Sequence, residues 1–149
     1  MRAGEIAERY PVVGVNTSAL VAARLIARDR LPGLVVAEPD GTPKAVLPAS
    51  EVVRFVVPDY VQADPTLAGV IGELAADRIA DRLGDSTVGD LLPERPVELP
   101  VLKADDTVLE LAAVMARLRS PLCVVVEGGK IIGVVTASRL LELVCGEPV

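Results

Sequence analysis

Two stretches of this chain repeat one another in register. Pro11 through Glu38, moved along by 89 positions, fall on Pro100 through Glu127 without a gap. Pro11 meets Pro100, Val12 meets Val101, Ala23 meets Ala112, Arg28 meets Arg117, Pro32 meets Pro121, Val35-Val36 meet Val124-Val125 and Glu38 meets Glu127. One residue drops out in a turn. A shift of 88 then pairs Gly41 with Gly129, Val46 with Val134, Ala49-Ser50 with Ala137-Ser138 and Val56 with Val144. A duplication of this length points to two similar halves that share an interface, and at 149 residues, 51% of them hydrophobic, the chain can bury a real core.

Patterning within each copy agrees with the identities. Ala19, Ala22, Ala23, Ile26 and Ala27 fall on one face of a helix, as do their counterparts Val108, Leu111, Ala112, Met115 and Ala116. Polar starters precede both helices, Asn16-Thr17-Ser18 and Asp105-Asp106-Thr107, and Thr107 with Glu110 has capping-box spacing. Short apolar runs follow, Leu34–Ala37 and Cys123–Val126, each leading through a turn into a second run, Ala45–Leu47 and Ile131–Val135. That pattern is a β-hairpin. A closing helix ends each copy, with Val52, Val53 and Val56 matching Leu140, Leu141 and Val144 on its expected buried side. Each copy therefore reads strand, helix, strand, strand, helix. Between the copies the spacing predicts one more helix, capped by Asp64, opened by Pro65, striped with Leu67, Val70, Ile71 and Leu74, and ended at Gly84.

Several function classes fall away. The chain has no histidine, which removes the commonest general base, the usual partner of a nucleophilic Ser or Cys, and the nitrogen ligands of zinc. No remaining set of residues supplies a nucleophile, a base and an orienter, so no enzyme activity is expected. Cys123 and Cys145 lack metal-ligand or redox spacing and are expected to be reduced thiols in a cytoplasmic protein. No apolar signal core follows Met1 and no apolar run reaches membrane-spanning length, so neither secretion nor membrane insertion is expected. With 15 Lys and Arg against 21 Asp and Glu, the surface is wrong for phosphate backbones, and Tyr10, Phe55 and Tyr60 are too few to stack bases; nucleic acid is not an expected partner. Glu73, Asp77 and Asp81 recur every fourth residue of the predicted insert helix, but Arg78 and Arg82 lie beside them, which favours a solvated face over a metal site. Arg24, Arg28, Arg117 and Arg119 sit on or just beyond the polar faces of the long helices, and Gly128-Gly129-Lys130 reads as a hairpin turn, not a phosphate loop.

The stretch Ser120-Pro121-Leu122-Cys123-Val124-Val125-Val126 through Gly133-Val134-Val135-Thr136-Ala137-Ser138-Arg139-Leu140-Leu141 resembles the end of a CBS domain, a "PVV, turn, GhVTxxDhh" pattern in which h is apolar. Two copies in register resemble the paired form of that family, the Bateman module. The resemblance implies an α/β (α+β) fold: two βαββα repeats packed as a pseudo-two-fold pair, with the inserted helix between them. Gly4-Glu5-Ile6 and Gly89-Asp90-Leu91 resemble the family's short lead-in helix. The expected division is 1–57 for the first repeat with its lead-in, 58–86 for the insert, and 87–149 for the second repeat with its lead-in.

By the same resemblance, the expected role is regulatory sensing, with an adenine nucleotide or related adenosyl ligand (AMP, ADP, ATP or S-adenosylmethionine) in a cleft between the repeats and no cofactor required. In such a site a hydroxyl at the start of the closing helix, with free N–H groups and the helix dipole, suits phosphate, and a carboxylate three residues on accepts the ribose hydroxyls. Here each copy keeps a different half. Thr136 supplies the hydroxyl in the second copy, but Arg139 stands at the carboxylate position. Glu51 supplies a carboxylate in the first copy, but Pro48 stands at the hydroxyl position and Ala45 replaces the usual glycine, with Ser50 and its counterpart Ser138 nearby. At most one good adenosine site is expected, or a different anionic ligand held by Thr136 and Arg139. Each of these residues also has a plain structural reading: Thr136 closing a strand, Ser50 and Ser138 capping helices, Glu51 and Arg139 as first-turn charges. The alternative role is a ligand-free interaction module that docks a regulated protein such as a transporter or enzyme. Helical faces left over by two small halves lead to the expectation of a homodimer.

Overall fold

The computed structural model describes residues 1–71 and 74–146, and side chains outside 70–77. Helix α1 (Ala3–Ile6) leads into strand β1 (Val12–Gly14), helix α2 (Ala19–Asp29), strands β2 (Gly33–Ala37) and β3 (Pro43–Pro48), and the closing helix α3 (Ala49–Val56). The insert carries α4 (Asp59–Ala63), a 3-10 turn at Pro65–Leu67, α5 (Ala68–Ile71) and α6 (Leu74–Gly84). The first pattern then recurs as α7 (Val88–Leu91), β4 (Val101–Lys103), α8 (Val108–Leu118), β5 (Leu122–Glu127), β6 (Lys130–Thr136) and α9 (Ala137–Cys145).

Each repeat builds a three-stranded sheet, β1-β2-β3 in one and β4-β5-β6 in the other, with the first pair parallel and the second antiparallel. The parallel pair follows from the long helix that crosses between its strands, the antiparallel pair from the short turn. Even the irregularities repeat: the ladder slips between Val36 and Ala37 in one sheet and between Val125 and Val126, their counterparts, in the other. The architecture is thus the mixed α/β duplication expected from the sequence.

Three apolar clusters hold it together. One gathers Val13, Ala22, Leu34, Val36, Leu47 and Val52 of the first repeat with Val88 and Leu91 of α7. A second gathers Leu102, Leu111, Met115, Val125 and Val135 of the second repeat with Ala3 and Ile6 of α1. The third lies where the sheets meet, pairing Val35 and Val46 with their repeat partners Val124 and Val134, and Leu122 beside them. These are buried valines and a leucine, each contributing about 1.5–3 kcal/mol relative to exposure.

The lead-in helices exchange partners. Ala3 and Gly4 donate to the carbonyls of Asp106 and Ala104, and Val88 and Gly89 donate to Thr17 and Val15, so each lead-in docks on the other repeat's first strand and helix. The segments that follow continue the exchange: Glu8 bridges to Val134 and Val97 to Val46. Every one of these contacts has its image in the other half, which is the pseudo-two-fold relation in chemical terms.

Three local expectations change. Val52 is buried and Phe55 and Val56 pack on the core, whereas Val53 is 59% exposed; in α9 Leu140 and Leu143 pack inward, and Leu141 and Val144 are 58% and 70% exposed. The buried stripe of each closing helix is rotated toward the i, i+3 positions, the side that packs into its repeat's apolar cluster. Asp64 caps as expected, its Oδ1 accepting from Thr66 N–H at 3.2 Å, but it opens the 3-10 turn. At Thr107 the hydroxyl accepts from Glu110 N–H and donates to the Glu110 carboxylate, in place of the reciprocal capping box. Val70, Ile71, Leu74, Glu73 and Asp77, invoked for the insert stripe and the acidic face, lie outside the described side chains.

Candidate functional site

Thr136 closes β6 and is the N-cap of α9, its Oγ1 accepting the Arg139 backbone N–H at 3.1 Å. The hydroxyl proton remains free to donate. Arg139, one turn along, points back across the repeat boundary. Its Nε donates to the carbonyl of Ile6 at 3.4 Å and lies 3.7 Å from Glu8 Oε1, and its Nη1 donates to Glu142 Oε1 at 3.3 Å. That carbonyl belongs to the last residue of α1, where the helix leaves acceptors unpaired, so the guanidinium finishes the exchanged lead-in. Thr136 and Arg139 are brought together, with the arginine committed to protein. Ser138, beside them, is exposed.

In the first repeat Pro48 occupies the N-cap of α3 and supplies no side-chain bond, and Ser50 is exposed. Glu51 is half-buried and lies on the wall of a cavity of about 310 Å3, shared with α4, α6 and α7. The insert builds most of the remaining wall. Gln62 of α4 donates through Nε2 to the carbonyls of Arg54 and Val57 at 2.9 and 2.8 Å, satisfying the C-terminal end of α3 and pinning α4 beside it. Arg82 of α6 lies over the Phe55 ring, 4.5 Å from its centroid, a cation–π contact that fixes the guanidinium at the cavity wall. Of the five candidate residues, Glu51 alone lines this cavity.

The two repeats differ here by a charge inversion. Glu51 and Arg54 correspond to Arg139 and Glu142, and Phe55 to Leu143, under the shift of 88. In the second repeat the pair closes on itself at 3.3 Å. In the first, neither Glu51 nor Arg54 forms an ion pair with a described residue, and both face the cavity. Reading each copy against its own motif picks out Glu51 but misses Arg54, Phe55, Gln62 and Arg82. The swapped signs at matched positions are the signal that finds Arg54.

A second cavity, about 490 Å3, lies between Tyr10–Val12 and Ile131–Gly133 where the exchanged segment leaves β6, and none of the five candidates lines it. The Tyr10 hydroxyl donates to the carbonyl of Gly33 at 2.6 Å, and burial pushes its pKa up to about 12. Burial likewise pushes the Cys123 thiol up to about 12. Both cysteines are free, Cys123 buried and Cys145 exposed. Among the described residues no three metal-ligating side chains gather, and no helix is long and apolar enough to cross a membrane.

Comparison with known proteins agrees with this architecture. The family model described as "CBS domain" matches residues 88–146. A CBS domain-containing protein of unknown function from Kribbella flavida has a crystal structure that is 58% identical, covers 98% of this chain and 99% of its own, and superposes with a TM-score of 0.90. The CBS domain of a CBS domain-containing membrane protein from Sphaerobacter thermophilus is 19% identical over 96% of this chain and 87% of its own, with a TM-score of 0.71. CBSX2 from Arabidopsis thaliana, solved in complex with AMP, is 20% identical over 97% of this chain and 96% of its own, with a TM-score of 0.66. No curated protein matches the chain. An identity of 58% over nearly the full length, joined to two matching βαββα repeats, places the chain in the CBS-domain family.

Proposed function

We propose that this chain is a regulatory sensor that binds an adenosyl ligand through the first repeat, at Glu51. The observation that carries the reading is the asymmetry of the two carboxylate positions. Glu51 opens onto a cavity of about 310 Å3, whereas Arg139 at the matched position is tied to Ile6, Glu8 and Glu142. A carboxylate offers acceptors for vicinal ribose hydroxyls, and an arginine offers none. The AMP complex of CBSX2, a protein of the same fold, supports an adenine nucleotide as the ligand class. Binding would change the contacts among α3, α6 and α7, so the output leaves through a regulated protein and not through chemistry on the ligand.

Calorimetric titration of ligand-stripped protein with AMP, ADP, ATP and S-adenosylmethionine tests this. Binding is expected in the parent, lost in Glu51→Ala and kept in Thr136→Ala. Heats absent for all four ligands would remove the sensor reading.

A second reading, a docking module, is favoured by the apolar surface. Leu109 is 79% exposed, Val144 70%, Val53 59% and Leu141 58%. Such side chains gain from a covering partner, whether a regulated protein or a second copy as a homodimer in the cytoplasm. Light scattering at low concentration distinguishes these: a strict monomer mass would remove the homodimer.

A further inference from the structure

Resting on the Glu51 reading, we infer that the cavity selects a phosphorylated ligand, with Arg54 and the insert's Arg82 receiving the phosphate while Glu51 takes hydroxyls. The cavity brings α3, α4 and α6 to one place, so a segment outside both repeats supplies part of its wall. Two cations and two carboxylates, Arg54, Arg82, Glu51 and Asp59, line it. That mixture matches a molecule with an anionic end and a hydroxyl-bearing end.

The state of the two arginines, together with their place on the cavity wall, fits the assignment. Neither side chain donates a hydrogen bond to a described residue, and neither forms an ion pair with one. Arg28 and Arg139, by contrast, are spent on Asp29, and on Ile6, Glu8 and Glu142. The cation–π contact with Phe55 holds the Arg82 guanidinium in place without using its N–H groups in a hydrogen bond to a described residue, so they are left for a contact with oxygen. Phe55 is thus a positioning residue for Arg82. The cavity volume of about 310 Å3 falls at the small end of the usual range for ligand pockets, roughly 300–1,000 Å3, which suits a sugar phosphate or mononucleotide.

The test is titration of the full chain with AMP, adenosine, S-adenosylmethionine and ribose 5-phosphate, in the parent and in Arg54→Gln, Arg82→Met and Arg82→Lys. AMP is expected to bind at least tenfold more tightly than adenosine. Arg54→Gln and Arg82→Met are each expected to weaken AMP at least tenfold while leaving adenosine within about twofold. Arg82→Lys, which keeps the charge but not the planar fork, is expected to recover only part of the loss, and melting temperatures matched to the parent exclude unfolding. Adenosine and AMP binding equally in the parent would overturn the phosphate assignment and leave the adenosyl reading standing. Ribose 5-phosphate binding that depends on both arginines, with adenosine silent, would do the reverse. Silence from every compound would overturn both.

Discussion

Tyr10 shows how much a single side chain reveals about the join between the repeats. Its ring packs against the valine cluster where the sheets meet, and its hydroxyl reaches Gly33 of the first repeat. The folded phenol holds its proton to about 12, above the value near 10 of an unfolded chain. Above pH 10 the unfolded chain has therefore released a proton that the folded one keeps. The stability tied to this group is complete below about pH 10 and is lost as the pH rises toward about 12. Cys123, raised from 9.0 to about 12, acts in the same direction from a lower starting point. Urea unfolding followed from neutral to strongly alkaline pH should show falling stability through this window, and Tyr10→Phe should flatten the fall; an unchanged slope in that variant would refute the assignment. At neutral pH the same substitution should cost about 0.5–1.5 kcal/mol for the lost hydrogen bond. Thr136 carries a second prediction. If its role is the cap seen on α9, Thr136→Ala should lower stability by about 0.5–2 kcal/mol. Thr136→Ser should restore it.

At the level of elements, both long helices end on an arginine in the left-handed region, Arg30 at φ 53° and Arg119 at φ 52°. The two are repeat partners, and glycine adopts this conformation without the strain that a Cβ brings. Arg30→Gly and Arg119→Gly should each raise the melting temperature, by an amount reflecting up to about 1 kcal/mol of relieved strain less the entropy glycine restores to the unfolded chain. A fall in both would mean that the arginine side chains support the caps. Gly133 is the opposite case: a Cβ there would lie 2.8 Å from the Glu8 carbonyl oxygen and 2.9 Å from the Ala7 Cβ. Gly133→Ala should push the exchanged segment off β6, and amide exchange should quicken at Glu8 and Val134, whose N–H groups bond across that join. Element order was legible because period-2 and period-3.6 patterns recur at matched positions. The orientation of α3 and α9 was not: Val52 beside Val53, and Leu140 beside Leu141, are equally apolar, and only the sheet below decides which turns inward. The cavity was legible at Glu51 through the motif, yet Arg82 joins it through packing between α6 and α3, which no local spacing encodes.

For the whole molecule, the exchange of lead-ins decides how the chain comes apart. The first repeat's core contains Val88 and Leu91, which belong to α7, and the second repeat's core contains Ala3 and Ile6, which belong to α1. Neither repeat can thus open without exposing apolar side chains of a segment anchored in the other. The central cluster of Val35, Val46, Leu122, Val124 and Val134 adds a third shared surface. Independent halves would need these contacts to be weak compared with each half's own stability, but small domains are only marginally stable by themselves. The chain should therefore unfold as one cooperative unit. Exchange-detected unfolding in urea should give the same midpoint for amides of β2 and of β5, and removal of residues 1–8 should lower both midpoints together. Two separated transitions, or a truncation that destabilised β5 alone, would show that the exchanged segments dock without coupling the repeats. The distinction matters for signalling. A ligand seated against α3, α6 and α7 touches a helix that the second repeat owns in sequence and the first repeat owns in space, so a cooperative molecule carries its binding free energy to both halves.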